Sequence, residues 1–94
     1  MAEVETIFLP NRFDYSFNRK FDEQYSPLLQ DQQCKEIILD FSNVEYLDSA
    51  AIGMIVLLHK KCSNLQKVAK LKGAKGQTAS VLDMAHMQKL FEFI

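Results

Sequence analysis

Hydrophobic residues along this chain follow two different spacings, and four stretches have the spacing of β-strands. Glu36 to Phe41 contains three consecutive aliphatic residues, which is typical of a strand in the middle of a sheet with both faces covered. Lys67 to Leu71 alternates polar and apolar residues, as expected for a strand with one buried face. Shorter strands are predicted from Glu5 to Leu9, where Pro10 ends the ladder, and from Phe91 to Ile94.

Three segments between these strands have helical spacing instead. Phe17, Phe21 and Tyr25 recur at four-residue intervals and predict an amphipathic helix whose aromatic side packs against a core. Pro27 disfavours a helical conformation of the residue before it, so this helix is expected to end or bend there. The predicted helices run from Ser16 to about Leu29, from Ser49 to Cys62 and from Thr78 to about Leu90.

The order of these elements predicts the fold class. Strands alternate with helices along the whole chain, and this alternation favours an α/β domain with a mixed, at least partly parallel sheet. We therefore predict about four strands covered by about three helices. At 94 residues the chain has the length of a single domain, which we place over residues 1–94.

Composition and charge exclude several classes of function. The hydrophobic fraction is 48% and the charged fraction 24%, as in an ordinary globular protein. The 11 basic and 12 acidic residues are dispersed, so the basic patch of a nucleic-acid-binding protein is missing from the sequence. No apolar stretch approaches the ~20 residues of a membrane span, and the amino terminus does not resemble a signal peptide. We therefore expect a cytoplasmic protein that neither binds nucleic acid nor spans a membrane.

The sequence offers no motif for a metal, a cofactor or a catalytic centre. Cys34 and Cys62 lie far apart, without a histidine at metal-ligand spacing, and are expected to stay reduced. His59 and His86 are isolated and are expected to be ordinary surface or boundary residues. A glycine-rich phosphate loop and a G-x-S-x-G turn are also missing. We therefore predict no cofactor, and no enzyme is indicated.

Asp48-Ser49 opens the second predicted helix and is the strongest candidate for a functional site. The Asp48 carboxylate can accept hydrogen bonds from the free N–H groups of the first helical turn. The Ser49 hydroxyl then lies within that turn. An Asp-Ser pair before a helix is also a common structural cap, and spacing alone favours this plainer interpretation.

The sequence around this pair resembles the signature of the STAS family. From Ile37 to Gly53 an apolar strand ends in Asp40, a turn follows, and Asp48-Ser49 opens a helix at the spacing of that family. Three further places agree with the family: Phe13-Asp14 before the first helix, Gly73 after a strand, and Val81 through Phe91 in the last helix and its exit. The resemblance covers roughly the whole chain, and its central segment is the specific part.

The chain departs from the family pattern in its short first strand and at individual residues. Ser49 is followed by Ala50-Ala51, where the family usually has Ser-Gly or Thr-Gly. Asn11 stands where the family usually has glycine before its Leu-Asp pair. Ala51 still has a small side chain, so close approach of a partner remains feasible.

The resemblance implies a bacterial anti-sigma-factor antagonist, which is a binding protein and not an enzyme. In such proteins the unphosphorylated domain binds an anti-sigma factor that is also a serine kinase, and the sigma factor is released. The kinase then phosphorylates the serine that corresponds to Ser49, and a PP2C-type phosphatase reverses this. The partner-binding residues implied by the resemblance are Asp14, Asn43, Asp48, Ala50, Ala51, Ile52 and Met54, around Ser49. Because the sequence has no exposed apolar repeat, we expect a monomer.

Two other functions stay open. STAS domains also serve as subunits of lipid transporters or as modules of stress-signalling complexes, which would keep the fold and change the partner. Leu47-Asp48-Ser49 before a helix also resembles the phosphopantetheine site of acyl carrier proteins. Those carriers are four-helix, strongly acidic domains, so a β-sheet in the structure would argue against this alternative.

Overall fold

The computed structural model describes residues 2–94, which form six strands, three α-helices and two 3₁₀ turns. The strands are β1 (Val4–Phe8), β2 (Arg12–Phe13), β3 (Glu36–Asp40), β4 (Tyr46–Leu47), β5 (Val68–Lys72) and β6 (Glu92–Phe93). The helices are α1 (Asn18–Gln30), α2 (Ser49–Asn64) and α3 (Gly76–Met84). The 3₁₀ turns are Tyr15–Phe17 and Met87–Lys89.

Strands β1, β3, β5 and β6 form a four-stranded sheet in that order, and all its neighbouring strands are parallel. A separate parallel pair joins β2 to β4. Helices α1, α2 and α3 make the crossovers, so the chain advances across the large sheet in one direction. Right-handed crossovers that advance in the same direction place their helices on the same face. The predicted α/β fold, with a four-stranded sheet and three helices, is thus confirmed.

One face of the large sheet forms the core together with the helices. Ile7, Leu39 and Leu71 lie in one row across three strands, and each is at most 4% exposed. Burial of this apolar row against the helices is the main stabilising contribution that the sheet offers. The helices supply the other side of the core, including Phe21, Tyr25, Ile55, Leu58 and Leu82.

The opposite face of the sheet is largely exposed. Val4, Phe8 and Val68 are 46%, 67% and 50% exposed on this face, and Ile38 is half-buried between its neighbours. The expectation that both faces of the central strand are covered is therefore wrong. Three consecutive aliphatic residues were compatible with two covered faces, but the crossovers all advance in one direction and leave the helices on the side of Ile37 and Leu39.

The first helix begins later than predicted, and Pro27 does not end it. Asp14 caps the 3₁₀ turn Tyr15–Phe17, and α1 proper begins only at Asn18. Pro27 lies inside the helix, which continues to Gln30. The predicted aromatic side is confirmed as core, because Phe21 and Tyr25 are buried and Phe13 packs against Phe21 with 5.7 Å between ring centroids.

The third helix is shorter than predicted and begins earlier. It runs from Gly76 to Met84, and His86 then adopts a left-handed backbone with φ 60°. The break leads into the second 3₁₀ turn, which buries Met87. Apolar spacing continued through this break, and for that reason the sequence predicted one longer helix. Thr78, the predicted start, lies in the first turn, where its hydroxyl donates to the Val44 carbonyl at 3.1 Å.

Cys34 and Cys62 are both buried free thiols. Burial raises the pKa of Cys62 to about 11 and also raises the pKa of Cys34. Because the thiolate is the reactive form, burial and the raised pKa values both disfavour reaction at these two thiols.

The end of β3 needs glycine at a neighbouring position. Asp40 accepts a hydrogen bond from the Ser42 backbone at 2.8 Å and so shapes the turn that follows. Gly73 packs against this turn with a positive φ of 76°. A Cβ at Gly73 would lie 2.5 Å from the Ser42 hydroxyl, so a side chain would collide with the turn.

Candidate functional site

The short ladder between β2 and β4 places the predicted site residues. Phe13 and Leu47 are partners in this parallel pair, and both are buried. Asp14 and Asp48 follow directly, so they occupy corresponding positions at the same end of the ladder. The structure thus brings together two residues that are 34 positions apart in the chain (48 − 14).

Asp48 is the N-cap of α2, as predicted. Its backbone is extended, and its Oδ1 accepts a hydrogen bond from the Ala51 backbone N–H at 3.0 Å. The Asp48 carbonyl accepts the first intrahelical bond, from Ile52, at 3.1 Å. One of the free donors of the first turn is therefore satisfied without any contribution from the Ser49 side chain.

Ser49 is the first residue of α2 and is exposed. Its hydroxyl makes no hydrogen bond to another of the described residues 2–94, so it is available to a second molecule. Gly53 and Leu57 follow at four-residue intervals on the exposed side of the helix, and Leu57 is 46% exposed. We call Ser49, Gly53 and Leu57 the α2 ridge.

Packing within the fold does not require glycine at position 53. A Cβ built on this residue would meet no atom within 4 Å. Glycine in a helix interior costs roughly 0.5–1 kcal/mol relative to alanine, because the unfolded chain has more freedom to lose. The sequence motif included Gly53, but nothing in it indicated a bare patch of backbone one turn away from Ser49.

Asp14 is held in place by neighbours on its own loop. Its Oδ1 accepts hydrogen bonds from the Ser16 backbone at 3.0 Å and from the Ser16 hydroxyl, while Arg12 Nε lies 2.7 Å from Oδ2. The Ser16 side-chain bond and then the Arg12 bond hold the pKa of Asp14 below its usual value. Asp14 is therefore ionised at neutral pH.

Arg12 contributes a cation to this site that was not among the residues predicted from the sequence. Its guanidinium carbon lies 4.2 Å from the ring centroid of Tyr46, in cation–π geometry. The hydrogen bond to Asp14, with smaller contributions from Tyr46 and Asp48, raises the pKa of Arg12. Arg12 and Tyr46 face each other only because β2 pairs with β4, a contact that neither two-residue strand reveals in sequence.

Asn43 lies on the β3–β4 turn and is exposed. Its backbone carbonyl accepts a hydrogen bond from the Asn11 side chain at 3.4 Å. The two asparagines line a surface pocket of about 410 Å³, together with Leu9, Pro10, Ser42, Val44, Glu45 and Lys75. Asn43 therefore belongs to a polar rim at the carboxyl ends of the strands, where open α/β sheets usually bind their ligands.

The remaining predicted contact residues lie on α2 at different depths. Ala50 and Ile52 are half-buried. Ala51 and Met54 are 0% and 7% exposed, and their side chains belong to the core. These two side chains support the site from beneath and are not available at the surface in this structure.

Residues 2–94 contain neither a metal-ligand cluster nor a membrane-spanning helix. No three side chains among His, Cys, Asp and Glu come together there as a potential metal site. No helix in this part of the chain is long and apolar enough to cross a membrane.

Comparison with known proteins identifies the family. A family model of the STAS domain matches residues 3–94, and the chain belongs to this family. A STAS-domain containing protein of Pseudomonas aeruginosa (strain UCBPP-PA14) is 25% identical over 87 residues, which covers 93% of this chain and 84% of that protein. The resemblance inferred from Ile37 through Gly53 is therefore confirmed.

Solved structures show the same fold at low sequence identity. A protein of Thermotoga maritima assigned as an anti-sigma factor antagonist has a TM-score of 0.78 and 21% identity, over 99% of this chain and 80% of that one. The unphosphorylated anti-sigma factor antagonist SpoIIAA of Bacillus has a TM-score of 0.76 and 15% identity, over 100% and 81%. The STAS domain of a SulP transporter from Vibrio cholerae has a TM-score of 0.79 and 15% identity, over 100% and 75%. The fold is thus shared by antagonists and by transporter domains.

Proposed function

We propose that this chain is a cytoplasmic anti-sigma-factor antagonist gated by phosphorylation of Ser49. Its unphosphorylated form binds an anti-sigma factor that is also a serine kinase, and a PP2C-type phosphatase restores binding after phosphorylation. The observation that carries the proposal is that the Ser49 hydroxyl is exposed and free, while Asp48 caps the helix by itself. The kinase supplies ATP, metal and base, so this chain is its substrate and not an enzyme.

A phosphate on Ser49 is compatible with the fold. It adds roughly −1.5 to −2 charges at neutral pH. The start of a helix tolerates such a charge, because the first N–H groups and the helix dipole both favour an anion. No side chain of residues 2–94 depends on the Ser49 hydroxyl as a hydrogen-bond partner. The modified domain is therefore expected to stay folded.

The same phosphate opposes a complex that buries Ser49. At this end of the β2–β4 ladder Asp14 is paired with Arg12, and Asp48 contributes a further carboxylate, so the phosphate adds to a site that is already negative in sum. A partner surface that covered it would have to desolvate that charge. A penalty of about 3 kcal/mol weakens binding more than a hundredfold. Phosphorylation can thus separate the partners without unfolding this domain.

The proposed contact surface centres on the α2 ridge. Asp14, Asp48 and Asn43 form its polar border, and the half-buried Ala50 and Ile52 contribute apolar area. Ala51 and Met54 contribute indirectly, by fixing the position of the helix. Bare backbone at Gly53 allows a partner to approach closely beside Ser49.

The proposal is tested by titrating Ser49→Ala and Ser49→Asp against the anti-sigma factor from the same cells. Ser49→Ala should bind as the unmodified protein does, and Ser49→Asp should bind at least about a hundredfold more weakly. Ser80→Asp, at an exposed position of α3, is the matched control and should bind normally. Equal affinity of the two Ser49 variants would rule out the switch.

A STAS subunit of a transporter or of a stress-signalling complex is the second candidate. Similarity to the Vibrio cholerae transporter domain is the observation that favours the transporter. Affinity purification separates the candidates, since one predicts a serine kinase and the other a membrane transport protein among the bound proteins. The carrier-protein alternative is disfavoured, because the four-stranded sheet differs from an all-helical carrier domain.

A further inference from the structure

Strand β1 forms an open edge of the large sheet. It pairs with β3 on one side, and none of residues 2–94 pairs with its other side. An open edge presents a row of backbone donors and acceptors that can accept another strand. Proteins usually protect such an edge with lysine, proline, a bulge or a covering helix.

The sequence of β1 carries one charged residue, Glu5, and none of these four protective features. Val4-Glu5-Thr6-Ile7-Phe8 contains neither lysine nor proline, and four of its five residues favour strands. Val4 and Phe8 are 46% and 67% exposed, and Thr6 is exposed between them on the same face. The expectation of a monomer was based on the lack of an exposed apolar repeat in the sequence. The structure places these apolar side chains on the surface.

The edge is complementary to itself. If two copies of β1 pair antiparallel about a twofold axis at Thr6, Val4 lies opposite Phe8 of the second copy, and Phe8 lies opposite Val4. Thr6 then faces Thr6 of the second copy. Aromatic–β-branched pairs and Thr–Thr pairs are both favourable across antiparallel strands. A twofold axis also makes the contact closed, so two copies join without forming a fibre.

Space beside the edge fits such an arrangement. A groove of about 380 Å³ runs between β1 and α1, lined by Glu5, Thr6, Ile7, Phe8, Gln24 and Leu28. We propose that β1 is a dimerisation edge, through which two copies of this chain form one continuous eight-stranded sheet.

A five-residue strand is about 17 Å long, so the interface is small and the dissociation constant is expected to exceed about 1 µM. The surface lies on β1 and is independent of the Ser49 switch.

Cysteine cross-linking tests the register. Residues directly opposite each other in antiparallel strands have Cα atoms about 4.5–5.5 Å apart, within the range of a disulfide. Thr6→Cys should therefore form a covalent dimer when oxidised glutathione accepts the electrons. The native Cys34 and Cys62 are 0% and 1% exposed and should not interfere.

Val68→Cys is the matched control for this experiment. Val68 is 50% exposed on the same face of the sheet, but β5 lies two strands away from the β1 edge, and its other neighbour β6 pairs only with Lys70 and Leu71. In the proposed dimer about 24 Å separates the two β5 strands, so this variant should not cross-link. Val68→Cys that cross-links as readily as Thr6→Cys would overturn the proposal.

Sedimentation over a concentration series provides a second readout. The unmodified protein should shift from monomer to dimer as its concentration rises. Thr6→Lys places like charges opposite each other and should weaken association at least about tenfold, while Val68→Lys should not. The proposal would be overturned if the unmodified protein stayed monomeric at every concentration up to about 1 mM, or if Thr6→Cys did not cross-link. The open edge of β1 would then be available to a strand of another protein.

Discussion

Asp14 and Asp48 lie next to each other at the end of the β2–β4 ladder, one residue beyond the paired Phe13 and Leu47. Each carboxylate caps the helical segment that follows it, Asp14 the turn Tyr15–Phe17 and Asp48 helix α2. One short strand pair therefore fixes the starting points of two elements. It also places two carboxylates, one of them paired with Arg12, at the end of the ladder where α2 and the proposed phosphorylation site Ser49 begin.

Removing the cap of α2 should lower stability without changing the fold. Asp48→Ala loses the acceptor for the Ala51 N–H and should destabilise the protein by about 1 kcal/mol. Asp48→Asn keeps an oxygen at this position and should lose much less. Urea unfolding at neutral pH measures both. If Asp48→Ala is as stable as the unmodified protein, the carboxylate does not act as the cap.

Stability should fall in acid because two carboxyl groups titrate below their usual range. Hydrogen bonds from Ser16 and Arg12 lower the pKa of Asp14, and the Ser42 side chain, with its backbone N–H, lowers the pKa of Asp40. Because the pKa of each group is lower in the folded protein, the unfolded chain binds protons at a higher pH than the folded protein does. The stabilisation is therefore complete above the unfolded value near ~3.9 and is lost as the pH falls through the folded value.

Urea unfolding between about pH 7 and pH 2.5 measures this loss. Asp40→Asn removes one of the two titrating groups, so the stability of this variant should depend less steeply on pH below about 4. Asp83→Asn, at an exposed position of α3, serves as the control. If the free energy of unfolding of Asp40→Asn fell with pH as steeply as that of the unmodified protein, Asp40 would not contribute to the loss of stability in acid.

Gly53→Ala should separate folding from binding. Because a Cβ has free space there, the variant should be more stable by roughly 0.5–1 kcal/mol. The same methyl group projects from the α2 ridge, so affinity for the anti-sigma factor should fall about tenfold, which corresponds to ~1.4 kcal/mol. Ser63→Ala, exposed near the end of the same helix, is the control and should bind normally. A stabilised variant with unchanged affinity would place the partner elsewhere.

The sequence predicted the elements that have a clear period or a strong local signal. Ile37 to Leu39 marked the central strand, and the spacing of Phe17, Phe21 and Tyr25 marked a helix. Asp48 was recognised as a cap because the chemistry of an N-cap is local. The resemblance around Ser49 led to the correct family.

The features that the sequence did not predict depend on contacts between distant residues. β2 and β4 have two residues each, which is too short for any periodicity, so the pairing of Arg12 with Tyr46 was invisible. α3 ends at Met84 because the left-handed His86 turns the chain so that Met87 is buried, an effect of packing rather than of spacing. The exposure of Val4 and Phe8 follows from the position of β1 at the edge of the sheet.

Intact-mass spectrometry with site mapping, on protein purified from its own cells, tests the central claim most directly. Samples should be analysed with and without phosphatase treatment. The account predicts one phosphate on Ser49 that the phosphatase removes. The switch would be contradicted if Ser49 were unmodified under every growth condition, or if the phosphate were confined to another residue such as Ser80. Ser49 would then be an ordinary first residue of a helix.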